Sequence, residues 1–140
     1  MTQQVDFYLL PAAGAEAGEQ FAARLAAKVY QMSLQVHVQC ASPAAAQRLD
    51  DLLWTFSDDS FVPHELWQAS DDPAPVTLGS IEQPLPEQAE VIINLSEQVC
   101  ATPDPRIAEI VPADDPSKAR GRQRYATYRD RGCELKMHTL

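Results

Sequence analysis

Glycine is scarce in this chain, 5 residues in 140, and its placement excludes the first function an alternating α/β pattern suggests. A phosphate cradle needs glycines that let backbone N–H groups approach the anion at the start of a helix. The loop after the first apolar run reads LLPAAGAEAGEQ, which contains neither GxGxxG nor GxxxxGK[ST]. Glu16 and Glu19 also stand where a phosphate would approach. No cofactor is expected. Cysteine is equally sparse. Cys40, Cys100 and Cys133 are odd in number, far apart and without CxxC or zinc-ligand spacing, so buried reduced thiols are expected and no metal. No run of about 18 apolar residues exists, which speaks against a membrane span. The opening MTQQVDFYLL has no basic stretch ahead of its apolar part, as expected of a cytoplasmic protein.

Catalytic patterns are also missing. There is no GxSxG, and no cysteine has a histidine close by in sequence. His37 falls in a strand and His138 in a frayed tail, while His64 reads as a loop residue bonded to the backbone. Asp50-Asp51 and Asp58-Asp59 are adjacent acids that point in different directions and read as solvated charge. Nothing makes a positive case for an enzyme.

Positive charge is short overall, 11 Lys and Arg against 20 Asp and Glu, but it is unevenly placed. Before Lys118 there are four cations (Arg24, Lys28, Arg48, Arg106) and eighteen acids, a net of −14. From Lys118 onward seven cations face two acids, a net of +5. An acidic body repels nucleic acid, while a compact basic segment attracts an anionic partner.

The hydrophobic periods give a single domain over residues 1–140. Strands are predicted at Val5–Leu10, Gln35–Cys40 (half-buried, from its alternation), Val76–Ser80, Glu90–Leu95, Arg106–Val111 and Cys133–Met137. Helices are predicted at Glu16–Met32, from Ser42-Pro43 through Phe56, and at Pro116–Arg131. The last two open on a cap-plus-proline start, Ser42 and Asp115, and the last stops at Gly132. Ser57–Leu66 is expected to be a loop. Alternating strands and helices indicate a three-layer α/β domain with a largely parallel sheet, Rossmann-like without the phosphate-binding loop.

Two stretches stand out. The first is RLDDLLWTFSDDSFVPHEL (Arg48–Leu66), entered by the helix opened at Ser42-Pro43, in which Ala45, Leu49, Leu52, Leu53 and Phe56 share the core face and Trp54 lies opposite. With Phe61, Val62 and Pro63 it forms either a partner site or an internal cluster in which Trp54 covers Phe61. In KARGRQRYATYRDRG (Lys118–Gly132), Lys118, Arg122, Tyr125 and Arg129 lie in one arc and Arg120, Arg124 and Arg131 in the other. A guanidinium beside a tyrosine suits an acidic peptide with a terminal aromatic, or stacked bases, or neither if the helix is merely solvated.

Taken together, FYLL (Phe7–Leu10), RLDDLLW (Arg48–Trp54), SFVPHEL (Ser60–Leu66), INL (Ile93–Leu95), VP (Val111-Pro112) and RYATYRDRG (Arg124–Gly132) resemble the chi subunit family of bacterial DNA polymerase III. The resemblance spans nearly the whole chain. It implies a non-catalytic adaptor that joins the clamp loader, through the psi subunit, to the acidic C-terminal tail of single-stranded DNA-binding protein, with DNA met only indirectly. It implies tail contacts at Arg122 and Tyr125, with Lys118, Arg124 and Arg129 nearby. It implies an apolar psi surface at Phe61, Val62 and Pro63, flanked by Trp54 and His64. The family pattern often has a lysine after the tyrosine, where this chain has Ala126; that either weakens the tail contact or moves its charge to Lys118 or Arg129. Two other readings are a degenerate nucleotide-binding enzyme of the same fold class and a direct binder of single-stranded nucleic acid through Tyr125, Tyr128 and the arginines.

Overall fold

A computed structural model describes residues 3–55, 62–68, 73–100 and 105–140. Among these described residues are seven strands: β1 (Gln4–Leu9), β2 (Val36–Cys40), β3 (His64–Leu66), β4 (Val76–Ser80), β5 (Val91–Asn94), β6 (Arg106–Val111) and β7 (Glu134–Thr139). Three helices accompany them: α1 (Ala15–Gln31), α2 (Pro43–Thr55) and α3 (Asp115–Asp130). The strands form one sheet in the order β3-β4-β2-β5-β6-β1-β7, and all six pairings are parallel. This is the α/β class expected from the alternation of periods, with the sheet wholly rather than largely parallel.

Successive strand residues point to opposite faces, which divides the core in two. Val36, Val38, Val76, Leu78, Val91, Ile93, Ala108 and Ile110 pack under α1 and α2. Val5, Phe7, Ile92, Ile107 and Val111 pack under α3, with Tyr128 fully buried among them. Where α3 does not reach, over β2 and β4, the chain after β4 folds back. There Trp67 Nε1 donates to the Pro84 carbonyl at 3.1 Å, and Gln83 Nε2 donates to the Trp67 carbonyl at 2.8 Å.

Several sequence expectations are corrected. The segment expected to be a loop through Leu66 contains β3, which pairs with β4 from His64↔Val76 to Leu66↔Leu78. β2 is buried along its whole length, not half-buried. Its His37 is held between Thr77 Oγ1 (2.8 Å) and Gln39 Oε1 (3.0 Å), and burial pushes its pKa down to about 4. The cap of α3 is Asp114 rather than Asp115: its carboxylate accepts from the Ser117 backbone N–H at 3.1 Å. His138 lies in β7, not in a frayed tail, and its Nε2 stands 3.0 Å from Asp6 Oδ1. Cys40 and Cys100 are buried as expected, and burial raises both thiols to about 12, but Cys133 is half-buried. Gly132, at φ +82°, takes the left-handed conformation that ends α3.

Candidate functional site

The crevice at the carboxyl ends of the strands, where this fold class binds nucleotides, is an open cavity lined by the chain's own carboxylates and their arginine partners. The Gly14 N–H at the start of α1 donates to Asp114 Oδ1 at 3.1 Å. That bond and those from Ser117 hold the Asp114 carboxyl down at about 2. Glu19 pairs with Arg48 at 3.0 Å and Glu97 with Arg120 at 3.3 Å across the same crevice. A phosphate there would meet fixed negative charge at the helix end that should attract it. Among the described residues no group of three or more His, Cys, Asp or Glu is placed to hold a metal ion.

A different hollow, of about 620 Å³, opens between α3 and the end of the sheet formed by β6, β1 and β7. Phe7, Leu9, Leu10, Val111 and Met137 supply its apolar surface, while Lys118, Arg122, Tyr125, Ala126 and Arg129 come from α3. The helix lies close to the sheet because Gly121 has no side chain: a Cβ there would stand 3.1 Å from Val111 Cγ2. Tyr125 is fixed against Phe7, ring centroids 5.4 Å apart at 57°. Lys118, Arg122 and Arg129 are exposed. Among the described residues neither Lys118 nor Arg122 forms an ion pair, and Arg129 meets only its neighbour Asp130, at 3.5 Å on the surface. The hollow therefore offers an apolar floor, one aromatic wall and three solvent-facing cations.

The two arcs read from the helical projection separate as drawn, and in the second arc Arg124 turns inward while Arg120 and Arg131 stay at the surface. Arg124 does not reach the hollow. Its Nε donates to Glu109 Oε1 at 2.8 Å, with both side chains buried. Glu109 Oε2 also accepts from Tyr128 Oη at 2.6 Å and Asn94 Nδ2 at 2.8 Å. Arg131 bonds the Cys100 carbonyl at 3.0 Å and lies over the Tyr128 ring. Tyr128, suggested as a stacking residue, is therefore sealed in the core and unavailable to a nucleic acid. Sequence reasoning missed this network. The signal for it was Glu109, one acid inside the apolar strand RIAEIV, since a charge buried there demands a buried cation.

At the far edge of the sheet, Trp54 is 59% exposed and its ring meets His64 edge-on, centroids 5.1 Å apart. The His64 side chain is buried, with Nδ1 2.6 Å from the Val62 carbonyl and Nε2 3.3 Å from Asp50 Oδ1. Val62 is 3% exposed and belongs to the core, so it does not present apolar surface to a partner. Pro63 is half-buried, and Phe61 and Phe56 lie outside the described residues. Leu66, exposed on the edge strand β3, extends the patch and was not foreseen, because the strand carrying it was not recognised.

The family model for the DNA polymerase III chi subunit, HolC, matches residues 1–136. The DNA polymerase III subunit chi of Pseudomonas aeruginosa is 36% identical over 139 residues, covering 98% of this chain and 96% of that protein. The proteins of the same name from Haemophilus influenzae and Escherichia coli are 30% and 32% identical, each over at least 95% of both chains. The crystal structure of T4 UvsW resembles the fold with a TM-score of 0.68 at 10% identity, covering 99% of this chain but only 41% of that one. The chain thus belongs to the DNA polymerase III chi subunit family, an accessory component of a replicative polymerase.

Proposed function

We propose that the chain is a non-catalytic adaptor that holds the acidic, phenylalanine-ended tail of single-stranded DNA-binding protein in the α3 hollow. It meets psi, and through psi the clamp loader, at the Trp54 edge. The hollow carries this reading. A terminal ring fits the floor formed by Phe7, Leu9 and Met137, and the tail's carboxylates fit Lys118, Arg122 and Arg129 at the rim. Arg129 and Lys118 both line the hollow beside Ala126, close enough to supply the charge that the family pattern described above often places after the tyrosine. Arg124, bound to Glu109, is left out of the tail site.

The two proposed surfaces lie at opposite ends of the sheet, β3 at one edge and β7 at the other. Six strand spacings of about 4.8 Å separate them by roughly 30 Å, far enough for both partners to bind at once. The acidic body repels DNA phosphates, which leaves DNA contact mainly to the partners.

Titration of the tail peptide against wild type and Arg122→Ala tests the site. The substitution is expected to cost about 1.5–3 kcal/mol, the worth of a charge-assisted contact, and a tail lacking its last residue is the control. Equal affinity of the two proteins would place the tail elsewhere. Phe61→Ala is expected to abolish psi binding while sparing the tail; loss of both would mean misfolding.

A further inference from the structure

We infer that a second cationic surface, on the face of the sheet opposite the α3 hollow, contacts single-stranded nucleic acid. In β7, Met137 faces the hollow, so Lys136 and His138 face the other way, beside Asp6 and Tyr8 of β1. The His138 ring stacks on Tyr8, centroids 4.8 Å apart at 15°. Tyr8 packs on Phe21 of α1 at 5.3 Å, and the Arg24 guanidinium lies 5.8 Å from the Phe21 ring centre. Below them Arg106 Nε donates to Asp6 Oδ2 at 2.7 Å, and His138 Nε2 meets Asp6 Oδ1 at 3.0 Å.

The charge placement is what singles this surface out. Four cations precede Lys118 against eighteen acids, and two of the four belong to this cluster, Arg24 over Phe21 and Arg106 on Asp6, the register partner of Lys136; Glu134 is the acid that shares this face of β7. Lys28 follows Arg24 by one helical turn. Asp6 is already satisfied inside the cluster, and the Arg106 side chain remains 52% exposed.

The ring pair selects the partner. β7 is the last strand of the sheet, so no strand flanks His138 on its outer side, and its side chain is 40% exposed. A base can extend the Tyr8–His138 stack while phosphates meet Lys136, Arg24 and Arg106, a recognition that tolerates any sequence. An acidic peptide without an aromatic side chain would use the cations but gain nothing from a flat aromatic stack. The net charge of −9 makes the contact weak in isolation. It acts where a partner already holds nucleic acid close by, at high effective concentration.

The test uses the full chain and a thymidylate oligonucleotide of roughly ten nucleotides, followed by NMR at low salt, with site size as for other single-strand binders. Saturable shifts are expected at Tyr8, Phe21, Arg24, Lys136 and His138. For about three neutralised phosphates, affinity should fall roughly tenfold to twentyfold between 50 and 200 mM salt. Arg24→Glu combined with Lys136→Glu should reduce oligonucleotide binding at least tenfold and leave the melting temperature and tail-peptide affinity unchanged. Shifts confined to Lys118, Arg122 and Tyr125, no saturation at millimolar oligonucleotide, or equal binding of a polyglutamate of matched charge would each overturn the inference. No tail peptide is needed to detect the contact, so this result and that of the tail titration stand apart.

Discussion

The Tyr128 hydroxyl donates to Glu109 Oε2 at 2.6 Å while accepting the Cys100 backbone N–H at 2.8 Å, which ties α3 to β6 and to the segment after β5. The same carboxylate takes Arg124 at 2.8 Å, so α3 is fixed in rotation by a buried ion pair. Burial raises the Glu109 carboxyl; Arg124, Asn94 and Tyr128 act against it. This anchoring decides which arc of the helix faces solvent, and so which cations a partner can reach.

Arg124→Met is therefore expected to cost about 3–5 kcal/mol in urea unfolding, because it leaves a buried carboxylate without its counter-charge. Glu109→Leu with Arg124→Met should recover most of that loss. Without the guanidinium, the raised Glu109 pKa goes higher still, so the folded single variant binds the proton more tightly than the unfolded chain. Its stability should be greatest at acid pH and should fall as pH climbs above the usual glutamate range. A pH-independent deficit would show that Glu109 is not the group left without a partner.

At the hollow, Ala126→Lys is expected to tighten the tail peptide by about 0.2–1 kcal/mol, as a solvent-facing charge pair does, and to steepen the salt dependence. Calorimetry at two ionic strengths measures both. An unchanged affinity would mean that Lys118 and Arg129 already saturate the tail's charge.

At the other edge, Trp54→Ala should weaken psi binding by about 2 kcal/mol or more, as loss of an exposed aromatic anchor does. It should alter fold stability by no more than about 0.5 kcal/mol. Val62→Ala should do the reverse, costing roughly 2 kcal/mol of stability through two lost methylene equivalents and a small void. A Trp54 variant that binds psi at full strength would remove this edge from the proposal.

Asp6 gives a distinct acid response. Burial pushes its carboxyl up, but the hydrogen bonds from Arg106 and His138 outweigh it, and the net pKa lies below the usual aspartate value of 3.8. A depressed carboxyl stabilises the fold above that value and loses its contribution as pH falls through the folded-state pKa. Asp6→Asn should be less stable than wild type near neutrality, and the gap should close below about pH 4, a window set by the unperturbed aspartate pKa. Thermal melts by circular dichroism from pH 7 to 2.5 would follow this; a gap that persists at the acid end would assign the loss to packing.

Much of this arrangement was legible in the residues. β6 is found at Arg106–Val111 as its apolar run predicts, and α2 opens at Pro43 behind Ser42, whose Oγ accepts from the Ala45 N–H at 3.1 Å. The two arcs of α3 also follow from 100° per residue. Which arc faces the sheet does not follow, because an arginine paired in the interior and one in solvent look alike in a sequence. β3 was missed since three residues after Pro63 carry too few side chains for a period to register. The burial of β2 was misjudged because His37 and Gln39 read as polar, whereas in place they bond each other, and His37 also bonds Thr77, under a covering loop. The cap slipped by one residue between two adjacent aspartates that a pattern alone cannot rank.

Strand β1 owes both of its neighbours to the other end of the chain: Asp6 and its Arg106 partner stand 100 residues apart. At ribosomal rates of about 5–20 residues per second, the amino-terminal strand waits roughly 5–20 s for a template to emerge. Such distant pairing makes folding slow, and the nascent polypeptide keeps Val5 and Phe7 uncovered meanwhile, a target for chaperones. Because β1, β6, α3 and β7 all wall the hollow, prematurely terminated translation products lack it, and with it the proposed tail site.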